Sequence, residues 1–153
     1  MKKLLIAVIP LLLLTACTPK EKESGNGSNM PSESETTSEE SENEMILSVD
    51  GQKQDVTWES NPSVKALDDL GELTISMHRY GGFEQVGSIG HTIISDDVQM
   101  TTNPGDIVLY SSNQLVIFFG SNSWAYTKLG HINLNQNELK TLLDKPNVEV
   151  TIK

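Results

Sequence analysis

The sequence predicts a mainly β domain over residues 44–153, a closed antiparallel β-barrel of about eight strands with two short helices. Three observations predict it. Short runs rich in β-branched and aromatic residues recur between Gly, Asp, Asn and Ser turn signals. Only two segments carry a helical apolar period with caps, and no strand–helix–strand rhythm calls for a parallel sheet. Closure of the sheet would remove exposed edges.

Each element has a local reason. Met45 to Val49 and Gln52 to Trp58 flank Asp50-Gly51, a two-residue hairpin signal in which glycine takes positive φ. Asn61-Pro62 supplies an N-cap and a first-turn proline, and Val64, Leu67 and Leu70 recur at helical spacing before Gly71. Leu73 to Tyr80 alternates, with Leu73, Ile75, Met77 and Arg79 on one face and Thr74, Ser76, His78 and Tyr80 on the other. Gly81-Gly82 ends this strand, and short strands are expected around Phe83–Val86, Thr92–Ile94 and Val98–Thr101. Ile107–Tyr110 and Leu115–Phe119 are near-continuous apolar runs, which predicts a hairpin buried on both faces. Trp124 to Leu129 follows as a strand. Asn135 and Glu138 have capping-box spacing ahead of Leu139, Leu142 and Leu143, and Val148 to Ile152 closes the chain.

In front of this domain stands an address. Lys2 and Lys3 precede the apolar run Leu4 to Leu14, about half the roughly 20 residues a membrane-spanning helix needs, so residues 1–16 read as a signal peptide. Leu14-Thr15-Ala16-Cys17 resembles the lipobox of bacterial lipoproteins, in which cleavage precedes the cysteine and its sulfur carries a diacylglycerol. The alternative is an ordinary secretory peptide cut elsewhere. A lipidated Cys17 implies a partner, the lipid bilayer, and a location on the extracytoplasmic face of the cell membrane, palmitate and related chains anchoring by roughly 0.8 kcal/mol per buried CH₂. From Thr18 to Asn43 the chain has no aromatic residue, and seven Glu against two Lys give −5. Such a segment cannot bury enough apolar area to offset ordering, and residues 17–43 read as a lipidated cysteine and acidic tether spanning on the order of 25–30 Å.

Composition excludes several classes. Eleven basic against twenty-one acidic residues, a net charge of −10, oppose a sequence-independent grip on nucleic acid. One cysteine builds neither a disulfide framework nor a Cys-rich metal site, and His78, His91 and His131 lack metal-ligand spacing, so neither metal nor cofactor is expected. Gly87-Ser88-Ile89-Gly90 lacks the context of a phosphate loop, and no GxSxG elbow occurs.

Four segments carry a resemblance: Tyr80-Gly81-Gly82-Phe83-Glu84, Pro104-Gly105-Asp106-Ile107-Val108-Leu109-Tyr110, Asn113 to Gly120, and Ser121-Asn122-Ser123-Trp124-Ala125-Tyr126-Thr127-Lys128-Leu129-Gly130. Together they resemble the bacterial cyclophilin-like domain family, which implies a closed barrel of about eight strands with helices over its open ends. Peptidyl-prolyl isomerases of the cyclophilin type lower a barrier of roughly 18–20 kcal/mol by favouring the twisted amide, with an arginine donating to the prolyl nitrogen beside an apolar pocket. Here His78-Arg79 follows Met77 where those enzymes have phenylalanine, and Phe83 and Gln85 come too soon after the arginine. No isomerase residue is carried over.

The residues themselves leave alternatives open. Arg79 and Glu84 serve either as an ion pair, with each other or with a neighbouring group, or as ligand contacts. Tyr80, Phe83, Trp124 and Tyr126 fill the core or line a concave apolar site. Asn113, Gln114 and Asn122 make turns or recognise a ligand. The expectation is a lipid-anchored, non-catalytic module holding a small ligand or extended peptide in a rim cleft. The alternatives are a peptidyl-prolyl isomerase for secreted proteins and a docking partner of another envelope protein.

Overall fold

A computed structural model describes residues 45–153. The expected signal peptide, Cys17 and the expected acidic tether lie outside the described residues. The elements run β1 (Leu47–Val49), β2 (Gln52–Lys53), β3 (Val56–Trp58), α1 (Pro62–Asp68), β4 (Leu73–Tyr80), β5 (Glu84–Ser88), β6 (Val98–Thr101), β7 (Asp106–Tyr110), β8 (Gln114–Phe118), β9 (Ser123–Ile132), α2 (Gln136–Leu143) and β10 (Asn147–Ile152).

All ladders are antiparallel and join in the order β2-β1-β10-β4-β5-β8-β7-β9-β3, with β6 added on β9. The expected closed barrel of about eight strands is thus corrected to one ten-stranded sheet, curled strongly into an open half-barrel. The ladder stops between β2 and β3, which are consecutive in the chain. The reason is visible at the single strand expected over Gln52–Trp58: its first part pairs with β1 and its second with β9, so it breaks at Gln54 and Asp55. There the Gln54 amide donates to the Leu47 carbonyl and the Asn133 amide to the Asp55 carbonyl, both at 2.9 Å.

Local chemistry sets the turns and helix ends. Asp50 (φ 48°) and Gly51 (φ 76°) both take the left-handed region, the signature of a tight hairpin turn. Asp50 Oδ2 accepts from Lys145 Nζ at 2.8 Å and Oδ1 from the Glu149 amide at 2.9 Å, which holds the carboxyl below its usual range. Asn61 caps α1 by accepting from the Ser63 and Val64 amides at 3.0 Å, while its Nδ2 donates to the Lys128 carbonyl at 2.9 Å. In α2 the capping box is complete: Asn135 accepts from the Asn137 and Glu138 amides, and Glu138 Oε2 accepts from the Asn135 amide at 2.9 Å. Leu139 and Leu143 are fully buried, a contribution of roughly 1.5–3 kcal/mol each.

The main core lies on one face of the sheet, where Ile75, Met77, Ile107, Leu109, Leu115 and Ile117 meet residues of β1, β10 and both helices. The β7–β8 hairpin is buried on both faces, as its apolar runs predict. Its other face carries Val108, Val116 and Phe118, which form a second, smaller cluster with Tyr126. Thr92–Ile94, expected as a strand, makes no ladder. Ile93 is buried and its amide donates to the Ser112 carbonyl at 2.9 Å, so the segment is pinned to the β7–β8 turn while Ile94 faces solvent.

Candidate functional site

Part of the second cluster, Val116 and Tyr126 with Val86 and Tyr110 packed on it, lines a concave site of about 330 Å³, near the lower bound for small-molecule pockets. Strand register builds it. Tyr80 lies opposite Glu84, Glu84 opposite Phe118, His78 opposite Val86, Val86 opposite Val116, and Tyr110 opposite Gln114. Because side chains alternate, these paired positions all point to the same face. Trp124 and Tyr126 arrive from β9 and Asn122 from the loop before it.

Glu84 and Gln85 each leave a buried side-chain oxygen without a hydrogen-bond partner, and of the two only Glu84 lines the pocket. Its residue is 6% exposed, and Oε2 has no hydrogen-bond partner. Burial pushes its carboxyl up to about 7, because the charged form loses water and gains nothing in return. Its backbone is held firmly. The β4–β5 hairpin turns through Gly81 (φ 59°) and Gly82 (φ 74°), and the adjacent Phe83 carbonyl accepts from the amides of Phe119 and Gly120, both at 2.9 Å. Gly120 allows this approach, since a Cβ there would lie 2.6 Å from Phe83 Cβ. From the opposite face Gln85 donates to the Leu143 and Lys145 carbonyls at 2.7 Å, fixing β5 against the end of α2.

The walls are aromatic. Tyr126 packs edge-on against Phe118 and Tyr110, with centroids 5.6 and 5.9 Å apart. Its hydroxyl accepts from Asn122 Nδ2 at 3.0 Å, and burial raises its pKa despite that bond. Asn122 is positioned by the fully buried Thr102, which donates through its amide to the Asn122 carbonyl and accepts the Asn122 amide on Oγ1 at 3.0 Å. Tyr80 and Trp124, 63% and 57% exposed, stand at the rim. A carboxyl that exchanges its proton near neutrality can donate to a ligand when neutral, and accept or act as a counter-ion when charged.

Of the residues singled out from sequence, Tyr80, Glu84, Gln114, Asn122, Trp124 and Tyr126 meet in this pocket. Three do not. Arg79 projects to the other face, at the edge of the core, where Nη1 donates to Asp144 Oδ1 at 2.6 Å, so its ion-pair partner is Asp144 and not Glu84. Phe83 stacks on Phe118 at 6.5 Å and packs against the cluster beside the pocket. Asn113 serves the β7–β8 turn, donating to the Tyr110 carbonyl and accepting the Ile89 amide. His78, Val86, Tyr110 and Val116 also line the pocket and were not among the expected ligand contacts. His78 shares the strand face of Tyr80, a signal that was available; Thr102 carries none.

Among the described residues no three His, Cys, Asp or Glu side chains gather as a metal site. His131 Nδ1 instead pairs with the buried Asp106 at 2.9 Å, at the start of β7. No curated protein matches the chain. Residues 47–153 match the family model described as the cyclophilin-like family, and the chain belongs to that family.

Proposed function

We propose that this chain is an extracytoplasmic lipoprotein, anchored through an acylated Cys17, whose cyclophilin-like domain is a non-catalytic module that binds a small ligand or a peptide side chain in the aromatic pocket. The observation that carries the binding reading is Glu84, a buried carboxyl with an unpartnered oxygen beneath aromatic walls. Natural proteins rarely bury such a group without a partner, because desolvation costs about 1–3 kcal/mol or more. The ligand is the partner in this reading. The signal peptide, lipobox and acidic tether support the anchor.

The geometry disfavours an isomerase built on Arg79, which is engaged by Asp144 away from the pocket. None of the pocket's lining residues is Arg or Lys. The test has two arms. In cells, labelled palmitate should attach to the wild-type chain and Cys17→Ala should move it out of the membrane fraction; unchanged fractionation contradicts the anchor. With purified protein, Trp fluorescence and amide NMR shifts should respond to members of a metabolite and peptide library, while cis/trans exchange of an Ala-X-Pro peptide stays at background. A silent library, or acceleration of the exchange, contradicts the binding reading.

A further inference from the structure

The pocket's chemistry narrows what it takes. We infer that its ligand is a small organic cation bearing an N–H donor, an alkylammonium or guanidinium group on a compact apolar body, with Glu84 as counter-ion and Tyr80, Tyr110, Trp124 and Tyr126 as walls. This inference rests on the reading of the pocket as a ligand site.

Four observations carry it. First, Glu84 lines the pocket with its Oε2 buried and lacking a donor, and an N–H⁺ group at this carboxyl supplies both a hydrogen bond and the counter-charge that stabilises the ionised form. A quaternary ammonium would bring charge to this carboxyl but no hydrogen bond. Second, aromatic faces carry negative electrostatic potential, so they attract cations and repel anions. Third, an anionic ligand would meet Glu84 with no Lys or Arg in the lining to balance it. Arg79, the one arginine of the chain, is paired to Asp144 on the other face. Fourth, the two exposed rim aromatics stand on β4 and β9, the strands flanking this stretch of sheet, and can cover an apolar body between them. The field is favourable as well: residues 45–153 hold seven basic and thirteen acidic side chains, a net of −6.

Cation binding favours the ionised carboxylate, so affinity should rise with pH through the Glu84 midpoint near 7. The other titratable groups facing Glu84 are His78 and Tyr80 from β4, Tyr110 from β7 and Tyr126 from β9; Gln114 from β8 and Asn122 carry no charge. Protonated His78 would oppose a cation in the same pH direction, and His78→Gln separates the two.

The test is calorimetric titration of the full chain with phenethylammonium and agmatine, beside the matched neutral and anionic probes phenethyl alcohol and phenylacetate. Both cations should bind at least tenfold tighter than phenethyl alcohol, with phenylacetate weakest, and tighten severalfold from pH 6 to pH 8. His78→Gln should keep that pH dependence, while Glu84→Gln should abolish it together with the preference for charge. Unchanged circular dichroism of the Glu84→Gln variant excludes misfolding as the cause. Tighter binding of phenethyl alcohol or phenylacetate, with amide shifts at Tyr80 and Trp124, overturns the cation assignment and leaves the ligand site standing. Binding of none of the four probes overturns both.

Discussion

At the scale of single residues, Glu84 links the pocket to stability. Its carboxyl titrates near 7 in the folded chain against an ordinary value of 4.5. Below about pH 4.5 both folded and unfolded chains are protonated and the group costs nothing. Between 4.5 and 7 the unfolded chain releases the proton while the folded one keeps it, so stability falls as pH rises, by on the order of 3 kcal/mol in full above 7. Glu84→Gln removes this linkage. Denaturant melts should show it more stable than wild type at pH 8 and nearly equal at pH 5; an equal difference at both values contradicts the assignment. Arg79→Ala tests the opposite expectation, because its pair with Asp144 is exposed on both sides. It should cost no more than about 1 kcal/mol and leave probe binding unchanged.

At the scale of elements, the parts decided by near neighbours in the chain were legible. Asp50-Gly51, Gly81-Gly82 and the Asn61 and Asn135 caps declare themselves because the residues that need each other are within a few positions. The split of Gln52–Trp58 was not legible, since it follows from which distant strand each half pairs with. For the site, alternation along Leu73–Tyr80 already set Arg79 on the face opposite Tyr80, whereas Asn113 ends the β7–β8 turn one residue before Gln114 opens β8. Two substitutions separate scaffold from site. Asn135→Ala removes the α2 cap and should cost about 1 kcal/mol without touching probe binding. Gly120→Ala drives a methyl into Phe83 beside Glu84, and should cost roughly 1–3 kcal/mol and weaken binding as well. Paired denaturant melts and titrations check both, and a Gly120→Ala chain with intact binding would show that the Phe83 contact does not position Glu84.

At the scale of the whole molecule, one sheet carries two apolar faces. The larger is covered by both helices and makes the core, while the smaller is covered only in part and becomes the pocket. The doubly apolar β7 and β8 runs announced this division, but the unpaired carboxyl on the smaller face emerges only when five strands are brought into register. The proposed anchor and tether would keep the domain on the extracytoplasmic side of the membrane, within reach of soluble ligands. A site-resolved titration of the Glu84 side-chain carboxyl by ¹³C NMR examines pocket and ligand together. If Glu84 is the buried counter-ion of a cation site, its midpoint lies near 7 in the free protein and falls when phenethylammonium saturates the pocket. A midpoint near 4.5 that is indifferent to the amine would contradict that role.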